Sequence, residues 1–121
     1  MNIEKIVKII FNIDNKFQKI IGNHYFKNWS LAPEVIQYIY FRNVYLTLDE
    51  PNITIKELHI NTVQIFFKHG WAYSKNFSEN NKTSPQILPY FAIGERQKIS
   101  YLFIISITQS FIENGAFTCG N

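Results

Sequence analysis

A mainly α-helical single domain with a minor β element is what this 121-residue sequence predicts. Apolar residues recur in steps of three and four over long stretches, and glycines stand where such stretches stop. Between two of these stretches lies a connection rich in aromatics and prolines, Gly70-Trp71-Ala72-Tyr73 through Ser84-Pro85-Gln86-Ile87-Leu88-Pro89-Tyr90. Prolines stop a helix and aromatics suit a half-buried extended segment, so a hairpin-like two-stranded element is expected there. The expected architecture is about four helices with this short element.

The first helix carries Ile3, Ile6, Val7, Ile10, Ile13, Phe17, Ile20 and Ile21 on one face, with Lys5, Lys8, Asn12, Asn15 and Lys19 over much of the rest. Asn2 can cap its start and Gly22 supplies a left-handed stop. After Asn28-Trp29-Ser30-Leu31-Ala32, with Ser30 available to satisfy free amides, Pro33 suits the first turn of a second helix. Val35, Ile36, Ile39, Tyr40 and Val44 give that helix its apolar face, and Asp49-Glu50-Pro51 breaks it. Thr54-Ile55-Lys56-Glu57 matches a capping box, from which a third helix runs through Leu58, His59, Thr62, Val63, Phe66 and Phe67 to Gly70. The last helix spans about Glu95 to Asn114, with Ile99, Leu102, Phe103, Ile107 and Phe111 as its apolar positions and Gly115 as its stop. Residues 1–115 form one domain in this reading, and 116–121 a flexible C-terminal tail.

Composition narrows the function classes. The chain is 46% hydrophobic and 17% aromatic, which favours a packed globule over disorder. A chain of this size buries roughly two-thirds of its unfolded surface, enough for one modest core. The formal net charge of +3 comes from scattered lysines, with no basic run of the kind that tracks nucleic acid. It is compatible with small anionic ligands, but an ordinary solvated surface is the simpler explanation. Cys119 is the single cysteine, so neither an intrachain disulfide nor a cysteine-based metal site is expected, and a reducing, cytoplasmic setting fits. No secretory signal is visible, and the apolar stretch from Ile99 to Ile112 is shorter than a membrane span and holds several polar residues.

Catalytic and metal signatures are weak. His59 and His69 are ten residues apart on one helix, about 80° apart around its axis. No His-x-x-x-His pair, phosphate-binding glycine loop or nucleophile-elbow motif occurs. A non-enzyme without cofactor or metal is therefore expected.

The Gly70-Trp71-x-Tyr73 element, Lys82, Pro85, Pro89 and Tyr90, with His59 twelve residues before Trp71, together resemble the signature of the Ry domain, named for the repeats of ryanodine receptors. The similarity extends to the opening amphipathic helix, Trp29…Ala32-Pro33, and the polar, basic Gln97-Lys98. The chain departs from the family pattern at Thr62, Ser84, Gln86, Phe91, Ile93-Gly94 and Ser100-Tyr101. The resemblance to free-standing phage and prokaryotic members implies a non-catalytic binder of a nucleotide-derived ligand, a counter-defence sponge for an immune messenger being one such role. On that basis His59, Trp71, Tyr73, Lys75, Lys82, Pro85, Tyr90 and Lys98 are the expected ligand-binding residues.

Four of these have an alternative. Aromatics can stack on a heteroaromatic ring, worth roughly 1–3 kcal/mol per base, and lysines can attract phosphate. Trp71 and Tyr90 also suit core packing, His59 suits an interior bond to the hairpin backbone, and Lys82 suits a solvated loop. The rival function is a protein-interaction module or inhibitor of a host protein, for which Phe77, Phe91 and Tyr101 should be solvent-accessible. Homo-oligomerisation is compatible with so many aromatics, though nothing specifies an interface.

Overall fold

A computed structural model describes residues 2–115. The tail at 116–121, with Cys119, lies outside the described residues, as does Met1. Four helices dominate: α1 (Ile3–Ile20), α2 (Glu34–Asp49), α3 (Ile55–Lys68) and α4 (Glu95–Glu113). Single 3-10 turns at Trp29–Leu31 and Tyr90–Ala92 lead into α2 and α4. Strands β1 (Ala72–Tyr73) and β2 (Thr83–Ser84) form the minor β element. This is the mainly α architecture expected.

The helix ends follow from local chemistry. Asn2 accepts from the Lys5 amide at 2.9 Å and caps α1, and Gly22 beyond its end has φ of +81°. Thr54 and Glu57 close a reciprocal capping box at the start of α3. Asn28, rather than Ser30, caps the turn before α2 by accepting from the Leu31 amide. Gly70 and Gly115 adopt positive φ just past α3 and α4.

Helix α4 packs against α1, α2 and α3, and α2 also touches α1 and α3. One core cluster joins Ile6, Val7 and Ile10 to Val44, Leu58, Ile93, Tyr101 and Ile104. A second gathers Phe11, Val35, Ile36, Ile39, Ile65, Phe66, Trp71 and Ile87, and so seats the connection between α3 and α4 on the bundle. No helix among the described residues is long and apolar enough to cross a membrane.

Three expectations need correction. The β element is not a simple hairpin, because β1 and β2 pair in parallel, Ala72 opposite Thr83 and Tyr73 opposite Ser84. The chain first reverses through a tight turn closed by mutual bonds between Ser78 and Thr83, and Lys82 takes φ of +53° to complete it. That reversal returns β2 in the same direction as β1.

The buried face of α1 also differs. Ile13 and Ile20 are 40% and 82% exposed, while Phe11, Asp14 and Asn15 are buried. Asp14 follows Val7 and Ile10 at helical spacing and takes the inward place because donors from other elements await it there. In α4 the buried positions are Tyr101, Ile104 and Thr108, with Leu102 largely exposed. That helix is apolar nearly all round, so its pattern left the inward face open, and the Tyr101 hydroxyl is accommodated by a bond to His59.

Candidate functional site

Residues of α1, α2 and α4, with the connection that carries β1 and β2, line a cleft of about 600 Å³. Its floor is built from buried groups: Asp14 and Asn15 of α1, Ile36 and Ile39 of α2, Thr62 of α3, and Tyr101 and Ile104 of α4. Tyr40 and Ser100, both partly buried, complete it. The rim is exposed and comprises Gly22, His24, Lys75, Asn76, Pro85, Gln86, Gly94 and Arg96.

A polar network organises the floor. Asp14 Oδ1 accepts from the Ser100 hydroxyl at 2.7 Å and from Gln18 Nε2 at 3.1 Å, and Oδ2 accepts from the Tyr40 hydroxyl. Gln18 donates also to Ser100 Oγ at 2.8 Å and accepts from Asn23 at 2.9 Å. Burial, and next the charge of Asp14, push the Tyr40 phenol well above its usual pKa. Asn15 accepts from the Phe26 amide at 2.9 Å and fixes the chain leaving α1 against the cleft wall.

That wall is aromatic. His24 stacks on Phe77 with ring centroids 4.5 Å apart and planes 20° off parallel, and Phe26 meets both edge-on. Its packing against Phe26 and Phe77 partly desolvates the His24 ring and lowers its pKa, which favours the neutral form. At the rim, Arg96 Nη1 donates to the Ile21 carbonyl at 3.2 Å and to Asn23 Oδ1 at 3.4 Å. The guanidinium is thereby held beside the end of α1. Gly94 begins α4 with no side-chain cap.

The eight expected ligand-binding residues do not gather in one place. Lys75 and Pro85 line the cleft. His59 lies behind the floor, 1% exposed, with Nδ1 2.8 Å from the Tyr101 hydroxyl and Nε2 2.5 Å from the Leu88 carbonyl. Its burial lowers its pKa, opposed by the bond to Leu88. Trp71 is a core residue, 5% exposed and packed on Phe66 and Phe77. Tyr73 and Lys82 are exposed on the β element and do not line the cleft. Tyr90 and Lys98 sit apart from it, the Lys98 ammonium 5.4 Å from the Tyr90 ring centre and 3.5 Å from a Glu95 carboxylate oxygen.

Asp14, Gln18 and Arg96 were not expected in a site from the sequence, Tyr40 was read only as part of the apolar face of α2, and Ser100 appeared only as a departure from the Ry pattern. A carboxylate on the inward line of an otherwise apolar helix face was the available signal, since such groups are buried only with partners. Among the described residues, no group of three or more His, Cys, Asp or Glu side chains is placed to hold a metal ion. Of the three residues on which the protein-interaction reading depended, Phe91 is 88% exposed, Phe77 is partly buried and Tyr101 is buried. The apolar surface expected from them is thus reduced to Phe91.

Comparison with protein-family models, curated proteins and solved structures finds no match to this chain. The site stands on its geometry.

Proposed function

We propose that this protein binds a small anionic, nucleotide-like ligand in the cleft and holds it without chemical turnover. The observation that carries this is the cleft's division into a buried polar floor, an aromatic wall and a rim bearing Lys75 and Arg96. Its volume of about 600 Å³ suits a ligand of nucleotide size, within the usual ~300–1,000 Å³ of small-molecule sites. A heteroaromatic ring can stack on the His24–Phe77 wall while the cations at the rim receive phosphate.

Binding is favoured over acid–base catalysis by how the titratable groups are engaged. Three donors already converge on Asp14, and both ring nitrogens of His59 are occupied. Asp14 keeps a single lone pair, on Oδ2, so these groups offer one acceptor and no acid–base pair. The Ry-like spacing of His59, Gly70, Trp71, Tyr73, Pro85 and Tyr90 supports the same direction, with sequestration of a nucleotide-derived signal as the biological role.

Native mass spectrometry of gently purified protein, followed by calorimetry with AMP and CMP, tests this. The expected result is an adduct of a few hundred daltons or a measurable nucleotide affinity, weakened in Arg96→Ala and Lys75→Ala and retained in Tyr73→Ala. Absence of both signals, or equal binding by wild type and Arg96→Ala, overturns it.

A further inference from the structure

Counting hydrogens across the cleft separates its floor from its rim. Tyr40 and Ser100 both spend their hydroxyl hydrogens on Asp14. Gln18 spends its amide hydrogens on Asp14 and Ser100. The Leu88 carbonyl can only accept, so the hydrogen of the neutral His59 ring sits on Nε2, and Nδ1 accepts from Tyr101. Thr62 donates to the Leu58 carbonyl at 2.9 Å. Every one of these floor groups has therefore given its hydrogens to the protein itself.

Lone pairs remain. A carboxylate offers about four acceptor positions. Asp14 fills two on Oδ1 and one on Oδ2, which leaves one on Oδ2 beside the oxygen of Tyr40. The Ser84 hydroxyl hydrogen and one amide hydrogen each of Asn15, Asn23 and Gln97 are the cleft donors away from the exposed rim still unassigned, and none of them belongs to Asp14 or Tyr40. At the rim the balance reverses, because Lys75 and Arg96 are donors with positive charge and no acceptor.

Resting on the proposal that the cleft holds a nucleotide-like ligand, we infer that it admits that ligand in one direction. A planar ring bearing an exocyclic amine meets the acceptor floor at Asp14 and Tyr40 with that amine, and the anionic group stays at Lys75 and Arg96. The ligand class narrows to amino-substituted bases carrying a single anionic end. A ring with a carbonyl in place of the amine sets lone pairs against lone pairs at that position and moves its N–H one atom along the edge, and a phosphate driven to the floor meets the carboxylate. Both leave buried polar groups unpaired, the kind of mismatch that gives strong discrimination.

Calorimetry on the wild-type chain compares AMP with IMP and CMP with UMP. Within at least one pair the amino nucleotide should bind on the order of tenfold tighter, a difference typical of one well-placed hydrogen bond. In Asp14→Asn the gap should close to within about threefold, because an amide can turn to donate or accept. Arg96→Ala should weaken both members of a pair equally. Equal or reversed preference in wild type, with binding otherwise intact, overturns this inference and leaves the anion-binding cleft standing. Failure of all four nucleotides to bind removes the cleft's proposed function as well. The wild-type comparison decides the matter even if Asp14→Asn does not fold.

Discussion

Ser100 on α4 donates a 2.7 Å hydrogen bond to Asp14 on α1 across a sequence separation of 86 residues. This bond ties the first and last helices together at the point where a cleft would otherwise open into the core. It also requires Asp14, 4% exposed, to be treated as part of the fold as much as of the site. A buried carboxylate is tolerable only while its donors are in place.

Removing that carboxylate should therefore be costly. Asp14→Ala strands the hydroxyls of Tyr40 and Ser100 and an amide hydrogen of Gln18 in a partly or wholly buried setting. Unsatisfied buried groups cost about 1–3 kcal/mol each, and water entering the cleft relieves part of that. A loss of about 2–4 kcal/mol in urea unfolding is expected. Ser100→Ala, which removes one of three donors, should cost about 1 kcal/mol. A change below about 0.5 kcal/mol for Asp14→Ala would mean that the network does not hold the helices together.

Acid should weaken the fold through its histidines. Burial lowers the pKa of both His24 and His59 from the ordinary value of 6.5. The unfolded chain takes up these protons near pH 6.5, whereas the folded protein resists them until lower pH. In that window the unfolded state binds more protons, so stability falls as pH drops from about 6.5 towards the folded-state values. Urea midpoints at about pH 7.5 and about pH 5.5 should show this loss, and His59→Gln should show a smaller one. An identical acid response in wild type and variant would remove His59 as a cause.

The helices were legible because their signals are local: a cap such as Asn2, a reciprocal box such as Thr54 and Glu57, a glycine such as Gly70. Trp71 and Pro85 marked the connection beside the cleft, and Lys75 its rim. The floor was not legible, since Asp14 gains meaning only from Tyr40 and Ser100 on other helices. Nor was the strand pairing. The reversal that brings β2 back parallel to β1 includes a left-handed Lys82, and a lysine does not announce positive φ as a glycine does. Helix α4, apolar on most sides, concealed that Tyr101 and Thr108 rather than Leu102 face inward.

Thr108 offers a gain in stability. Its side-chain oxygen is buried without a hydrogen-bond partner. Valine has nearly the same shape and a similar helix propensity, so Thr108→Val removes a desolvated polar atom without opening a cavity. The variant should be more stable by about 1 kcal/mol, seen as a higher urea midpoint with an unchanged slope. A destabilised variant would show that the hydroxyl has a partner in solution, such as a buried water. Nucleotide binding should be unaffected, because Thr108 does not line the cleft.

The polarity of the cleft can be challenged at Gly94 with little risk to the fold. Its φ of −83° and ψ of 171° are open to any residue, and an added Cβ would meet nothing within 4 Å. Gly94 begins α4 without a side-chain cap, and aspartate is preferred over glycine at that position by a few tenths of a kcal/mol. Gly94→Asp should thus match or exceed wild type in thermal stability. The same substitution adds a negative charge to the rim beside Arg96. If phosphate is received there, AMP affinity should fall on the order of tenfold at low salt, and the deficit should shrink as salt screens the repulsion. A serine at the same position provides the cap without the charge and should bind AMP as wild type does. Equal AMP affinity in Gly94→Asp and Gly94→Ser would place the anion away from the start of α4 and remove Arg96 as its partner.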